Sequence, residues 1–115
     1  MPPLPALPDE AFVVRGGVNE PDNFAKGSGV ATDAAGMLSQ VSVQCAPGKT
    51  VRDLSRRLLN GQVGWTTLGQ VREAGGEVDP DPTPGNPDHC LLRGLDAATA
   101  SRLFTPTIPH PHRVR

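Results

Sequence analysis

The sequence predicts an α+β fold: one domain with a small mixed or antiparallel sheet and two or three short helices packed on one side. Strand and helix signals do not alternate one for one along the chain, which disfavours a doubly wound parallel sheet. Residues 36–45 alternate apolar and polar side chains with the period of a half-buried strand. Three capping signals precede apolar residues at helical spacing. A length of 115 residues accommodates one ordinary domain.

Prolines mark the expected domain boundaries. The chain has 13 prolines, which crowd the beginning, the stretch around residue 80 and the end. Proline lacks a backbone donor and restricts the residue before it to extended geometry. We therefore predict a proline-rich lead-in at 1–10, a single α+β domain at 11–105 with an irregular loop at 79–87, and a flexible C-terminal tail at 106–115.

Four segments have the composition of strands. Residues 11–15 form a compact β-prone run, 36–45 is the best strand of the chain, 77–79 is a brief edge strand, and 88–93 is a further strand. Residues 18–32 contain glycine, asparagine, proline and aspartate at short intervals and are predicted to form a long loop.

Helix starts are predicted from capping residues. Thr50 with Asp53 and Thr67 with Gln70 resemble capping boxes, and Asp96 is positioned as the N-cap of a final helix. The helix after Thr50 is expected to end at Asn60-Gly61, where the Asn-Gly pair is typical of a helix stop.

Charge and composition limit the classes of partner. A formal net charge of −1 disfavours nucleic-acid binding by bulk electrostatics. The N-terminus lacks the pattern of a signal peptide, and no window is apolar enough for a membrane span. The expectation is a cytoplasmic protein with no membrane association, with leaderless export to a target cell left open. The sequence does not predict the oligomeric state.

Arg15 is the leading candidate for a binding residue. It closes the first predicted strand and is followed by Gly16 and Gly17. A guanidinium beside backbone without side chains can approach a phosphate closely and bind it with two hydrogen bonds. The alternative is a solvent-facing arginine at the end of an edge strand.

The segment Val14-Arg15-Gly16-Gly17 resembles the Arg-Gly signature on the first strand of small bacterial ADP-ribosyltransferase-like toxin domains. The resemblance implies a toxin-like enzyme that uses NAD as substrate, with Arg15, Gly16 and Gly17 at its phosphates. Ser39 and Ser42 would shape the pocket from the next strand, as the serine-bearing strand does in that family. Glu77 or Glu73 would be the catalytic carboxylate, for ADP-ribosyl transfer or NAD hydrolysis.

His89 supports an alternative function. Histidine titrates near neutral pH and can act as a general acid or base. With Arg15 or Arg93 as the cation, His89 could catalyse metal-independent RNA cleavage, and nucleic acid would be a partner only in this case. The alternative is a structural histidine packed at a sheet edge.

No metal site is expected. His89 and Cys90 are neighbours on a strand and point to opposite faces, and the His110 and His112 pair lies in the expected tail. A nucleophilic pair of Cys45 with His89 is an alternative if their strands are neighbours, but Cys45 falls on the apolar face of its strand, which favours a packing role.

A non-catalytic interaction or accessory module is the third hypothesis, because no candidate site is complete in sequence. Under the toxin hypotheses a cognate inhibitor protein is a possible partner.

Overall fold

The computed structural model describes residues 7–26 and 30–112, with only the backbone described at residues 25 and 26. Within these ranges the chain forms seven strands and four short helices. In chain order they are β1 (Phe12–Gly16), α1 (Pro21–Lys26), β2 (Val30–Thr32), β3 (Leu38–Cys45), α2 (Val51–Ser55), β4 (Gln62–Thr67), α3 (Leu68–Glu73), β5 (Glu77–Pro80), β6 (His89–Arg93), α4 (Ala97–Leu103) and β7 (Ile108–Pro109).

The strands form one sheet in the order β5-β6-β3-β1-β4-β7, and β2 also pairs with β3. Every pairing between the described strands is antiparallel. The structure confirms the predicted α+β class. Gln44 pairs with both His89 and Val14, and Val41 pairs with both Leu92 and Val30. Strands β1 and β2 therefore share the edge of β3 that lies opposite β6.

The larger core cluster lies on one face of the sheet. Paired residues such as Val43 with Cys90 and Val41 with Leu92 present their side chains to this face. Phe24 of α1 and Ala100 of α4 pack there and are fully buried. Because residues i and i+2 of a strand share a face, the register also assigns the side chain of Arg15 to this face, two positions after Val13.

A smaller cluster lies on the opposite face. Val14, Leu54 and Val63 are buried there, and Leu54 belongs to α2. The expectation that the helices pack on one side was therefore wrong for α2. The reason is that β1 is buried on both faces, since neighbouring residues Val13 and Val14 are each fully buried.

The predicted helix starts are confirmed. Thr50 and Thr67 each accept a hydrogen bond from the backbone of the third helical residue, and both capping boxes are complete. Asp96 accepts a hydrogen bond of 2.7 Å from the Thr99 amide. These contacts are local in sequence, which is why residue types alone could predict them.

The predicted long loop at 18–32 was wrong, because it contains α1 and β2. Proline at the first position of α1 suits a helix start, since that residue needs no amide donor. Asn23 Oδ1 accepts a hydrogen bond of 2.8 Å from the Glu20 amide, which supports this start. Strand β2 has three residues and depends on its pairing with β3.

Strand β4 was not predicted. Its residues Gln62–Thr67 follow the Asn60-Gly61 stop signal, and Gly64 interrupts the β-prone run. The strand forms because β1 pairs with it along five residues and β7 adds to its other edge. Tertiary pairing therefore overrides a weak local preference.

Residues 106–112 of the expected flexible tail pack on the domain. Strand β7 pairs with β4, and His110 is only 1% exposed. The His110 ring bonds to the Leu58 carbonyl at 2.9 Å, and the His110 amide donates to the Gly61 carbonyl at 3.0 Å. The remaining tail positions, 113–115, lie outside the described residues, as do residues 1–6 of the lead-in.

Among the described residues no helix is long and apolar enough to cross a bilayer.

Candidate anion-binding site

A cavity of about 390 Å³ opens where β1 and β2 separate along the edge of β3. Its lining residues come from the end of β1, from α1, from the middle of β3 and from the segment between α2 and β4: Arg15, Gly16, Gly17, Val18, Asn23, Ser42, Leu58 and Asn60. This volume falls within the range of small-molecule pockets, roughly 300–1,000 Å³. The cavity brings together four of the residues predicted to bind the substrate phosphates and shape its pocket: Arg15, Gly16, Gly17 and Ser42.

Arg15 is held in place by Asn19 and Phe24. Its Nη1 donates a hydrogen bond of 2.9 Å to Asn19 Oδ1, and its Cζ lies 4.6 Å from the centroid of the Phe24 ring. Asn19 is fully buried and donates in turn to the Arg15 carbonyl at 3.0 Å. These contacts orient the guanidinium without neutralising it.

Arg15 lacks a counter-ion among residues 7–26 and 30–112. None of the five ion pairs within those ranges, which have N–O distances of 4.0 Å or less, includes Arg15. Its Nε is buried and has no hydrogen-bond acceptor among the described residues. Burial lowers the pKa of the Arg15 guanidinium, because removal from water disfavours the charged form. A half-buried cation with an unused donor is matched by an anionic ligand.

Arg93 of β6 and Arg72 of α3 are both paired with carboxylates. Arg93 Nε lies 2.6 Å from Asp79 Oδ2, and Arg72 contacts Asp9 at 2.5 Å and Glu77 at 3.1 Å. The contrast distinguishes Arg15 from a solvent-facing arginine at a strand end, which was the alternative prediction for it.

The two glycines allow the cavity wall to close around Arg15. Asn60 packs so closely on Gly16 that a Cβ at this position would overlap its side-chain amide. Gly17 has a φ of 99°, a left-handed conformation that favours glycine. The chain stays on β4 through Gly16, which pairs with Val63, and the Gly17 amide donates to the Gln62 carbonyl at 2.9 Å before the chain turns.

Ser42 and Ser39 differ in position. Ser42 lies in the gap between the two ladders, where β3 has no partner on this edge among the described residues. Ser39 does not line this cavity. The pairing changes register between Ala31 and Thr32, which leaves Ser39 as the extra residue of a bulge on β3.

The predicted catalytic carboxylates lie elsewhere. Glu77 is on β5, the edge strand three positions from β1, which places it about 14 Å away across the sheet at ordinary strand spacing. It is paired with Arg72. Glu73 is exposed at the end of α3. Neither residue lines the cavity.

His89 is separated from Arg15 by the sheet. His89 shares a face with its partner Gln44 and with Val14, whereas Arg15 follows Val14 and points to the other face. The His89 Nδ1 atom lies 3.1 Å from Asp81 Oδ2 and 2.9 Å from the Asp81 carbonyl. The RNase hypothesis therefore retains an oriented histidine, but the structure does not bring Arg15 to it, and Arg93 is paired with Asp79.

The cysteines belong to the core. Cys45 and Cys90 are buried, and Cys90 Sγ donates a hydrogen bond of 3.3 Å to the Cys45 carbonyl. The hydrogen bond with the Cys90 thiol and burial raise the pKa of Cys45 above its ordinary value, which keeps it protonated. Cys45 and His89 face opposite sides of the sheet, so they do not form a nucleophile–base pair.

The rings of both tail histidines bond to backbone carbonyls of the domain. His112 Nε2 bonds to the Arg52 carbonyl at 2.7 Å, and the His112 amide donates to His110 Nδ1 at 3.1 Å. Within the part of the chain that the structure describes, no group of three histidine, cysteine or acidic side chains could hold a metal ion.

Three asparagines at the site were not anticipated from sequence. Asn19 orients Arg15, while Asn23 and Asn60 supply amides to the cavity wall. Asn60 was interpreted only as part of a helix stop, and Asn19 and Asn23 fell in a predicted loop. No local signal marks them, because their roles depend on segments that meet only in the folded chain.

Comparisons of the chain with protein-family models, with curated proteins and with solved structures found no match.

Proposed function

We propose that this protein binds a phosphate-bearing small molecule in the cavity beside Arg15, with NAD as the first ligand to test. The observation that carries the proposal is the guanidinium of Arg15, which is half-buried, has no carboxylate partner among the described residues and keeps a buried Nε without an acceptor. A phosphate bound beside Arg15 would supply the missing negative charge.

The surroundings of Arg15 also favour an anionic ligand. The other lining residues are uncharged: two glycines, two asparagines, one serine and two aliphatic residues. Asparagine amides and the serine hydroxyl can donate hydrogen bonds to phosphate oxygens. No carboxylate lines the cavity to repel an anion.

NAD is favoured among phosphate compounds by the resemblance of Val14-Arg15-Gly16-Gly17 to the signature of ADP-ribosyltransferase-like domains. The proposal is one of binding. Glu73, Glu77 and His89 do not line the cavity, so their catalytic roles and a cognate inhibitor stay predictions.

The test is calorimetric titration of NAD and of inorganic phosphate into wild-type protein and two variants. Arg15→Ala removes the cation that lines the cavity, and Arg93→Ala is the matched control, since Arg93 also ends a strand but is paired with Asp79. A charge-assisted hydrogen bond contributes about 1.5–3 kcal/mol. We therefore expect Arg15→Ala to weaken NAD binding by about ten- to a hundredfold.

Arg93→Ala is expected to leave the affinity for NAD unchanged. Equal binding of NAD to wild type and to Arg15→Ala would contradict the proposal, and so would the absence of any binding of either ligand to the wild-type protein. Raising the salt concentration should weaken binding to the wild type, because the interaction is between charges.

A further inference from the structure

Trp65 of β4 is exposed on the face of the sheet that α2 covers in part. It pairs with Val14, which belongs to one buried cluster with Leu54 of α2. Its ring makes an edge contact with the Phe12 ring, with the centroids 5.5 Å apart, and 41% of the residue stays exposed. An indole with this exposure offers a flat surface on which another ring can stack.

Two arginines lie together on the surface of α2. Arg52 belongs to the helix, Arg56 is its C-cap with helical dihedral angles, and both are exposed. Residues four apart are neighbours on a helix surface, where like charges repel. None of the ion pairs among the described residues includes either arginine. The carboxylate between them in sequence, Asp53, accepts a hydrogen bond from the Thr50 amide in the capping box. A bound anion would offset the repulsion between the arginines.

Arg57 shows which side of α2 the other two arginines occupy. Its Nε donates a hydrogen bond of 2.7 Å to the Gly85 carbonyl, in the loop before β6. The sheet order β6-β3-β1-β4 puts that loop on the side of α2 away from β4. At about 100° per residue, Arg52 and Arg57 project on opposite sides of the buried Leu54. Arg52 therefore lies on the side of the helix that faces β4.

The C-terminal tail gives the same placement independently. It follows β7, which pairs with β4, and His112 Nε2 bonds to the Arg52 carbonyl at 2.7 Å. Trp65 and the pair Arg52 and Arg56 therefore belong to one surface, on the β4 side of α2.

We propose that Trp65, Arg52 and Arg56 form a binding surface for single-stranded nucleic acid, with one base stacked on the indole and the neighbouring phosphates at the two arginines. Stacking on an aromatic ring combined with cations along the backbone is how proteins bind single strands, and arginine suits phosphate. The net charge of −1 is an average over the chain, whereas residues 49–57 carry four of its 11 lysines and arginines and one carboxylate. An acidic protein segment would satisfy the arginines but would leave the indole unused. The surface is separate from the cavity at Arg15.

The test is a fluorescence titration with single-stranded oligothymidylate of about eight residues, without terminal phosphates. Trp65 is the single tryptophan, so a base stacked on it should quench the intrinsic fluorescence of the protein. The anisotropy of a labelled oligonucleotide measures the affinity without relying on Trp65. With two phosphate contacts, the logarithm of the association constant should fall with the logarithm of the salt concentration with a slope of about −1.4.

Two variants of Trp65 test stacking. Trp65→Val removes the ring and keeps a side chain suited to a strand, and it should weaken binding by about five- to a hundredfold. Trp65→Phe keeps a ring and should bind within about threefold of the wild type. Circular dichroism checks that both variants fold. If Trp65→Val does not fold, quenching in the wild type and the affinity of Trp65→Phe decide the question of stacking.

Two arginine variants test the phosphate contacts. Arg52→Ala should weaken binding by about tenfold and make the salt slope shallower by about 0.7. Arg102→Ala is the matched control, because Arg102 is also exposed and outside the ion pairs of the described residues but lies on α4, which packs on the other face of the sheet. Its affinity should stay within about twofold of the wild type.

Four outcomes would overturn the proposal. They are the absence of binding to the wild type, binding without quenching of Trp65, equal losses in Arg52→Ala and Arg102→Ala, and displacement of the oligonucleotide by polyglutamate of equal charge as effectively as by unlabelled oligonucleotide. The last result would assign the surface to an acidic protein segment. None of these outcomes bears on phosphate binding at Arg15, which the titrations of NAD and inorganic phosphate test separately.

Discussion

Replacing Arg15 by methionine tests whether this residue serves binding or stability. Methionine has a similar length and no charge, so the side chain can still pack on Phe24. The change removes the hydrogen bond to Asn19, worth about 1.5–3 kcal/mol, and the cation–π contact, worth about 0.5–2 kcal/mol. It also removes a buried Nε without an acceptor, which costs about 1–3 kcal/mol in the wild type. A sulfur–aromatic contact between the new methionine and Phe24 stabilises the variant by about 0.3–1.5 kcal/mol.

At the middle of these ranges the losses and gains nearly cancel. We expect Arg15→Met to change the free energy of unfolding by less than about 3 kcal/mol, whereas breaking a buried ion pair costs about 3–5 kcal/mol. Phosphate binding should be lost. Urea unfolding measured by fluorescence of Trp65, the single tryptophan, gives the stability, and titration calorimetry gives the binding.

Arg93→Met is the control for the loss of an arginine, and its affinity for phosphate should match that of the wild type. A loss of more than about 3 kcal/mol in Arg15→Met would identify Arg15 as a structural residue and refute the reasoning. Unchanged phosphate binding by Arg15→Met would refute it as well.

Three further predictions concern the fold. Gly64→Ala should destabilise the protein by about 1–3 kcal/mol in urea unfolding, because its Cβ would overlap the carbonyl at the end of α4. The control is Gly61→Ala, whose Cβ meets open space and which should be neutral or stabilising by about 0.4–1 kcal/mol. His110→Ala should lower the free energy of unfolding by about 2–4 kcal/mol, because it empties a buried position and leaves the Leu58 carbonyl unpaired. His112 is exposed, so His112→Ala should change this free energy by no more than about 0.5 kcal/mol. Equal losses in the two variants would contradict the tail contacts. Hydrogen bonding to the backbone of the first turn of α4 lowers the pKa of Asp96, so its stabilisation is complete above the ordinary aspartate pKa of 3.8 and is lost as the pH falls below it. Asp96→Asn keeps an acceptor and should flatten the fall of the melting temperature in this acid range; an unchanged fall would exclude Asp96 as its source.

Local signals account for the parts of the fold that could be predicted. The caps at Thr50, Thr67 and Asp96 bond to amides within the next turn, and β3 shows its buried face through alternation along its own length. Strands β2, β4 and β7 could not be predicted in this way. Each is short or interrupted and depends on its pairing: β4 and β7 pair with strands that are distant in sequence, and the three-residue β2 pairs with the following strand β3.

The candidate site could likewise be predicted only where it depends on residues close in sequence. Arg15, Gly16 and Gly17 are consecutive, so their chemistry could be inferred from sequence, and Ser42 was chosen as a residue of the next predicted strand. The expected partnership with Glu73, Glu77 or His89 depended on strand order and on faces, which side-chain types do not encode. The sheet order places Glu77 on the far edge strand, and the register places His89 on the face opposite Arg15.

By itself the sequence determined the residue types, the helix caps, the buried alternation of β3 and an arginine followed by two glycines at a strand end. Each of these depends on interactions between residues close in the chain. Only the tertiary structure decided that β1 and β2 share one edge of β3, that Asn19 and Phe24 orient Arg15, and that Ser42 lies in the gap between β1 and β2. These features follow from strand pairing and packing between distant segments, where burial and hydrogen bonding are shared by the whole domain rather than by any single segment.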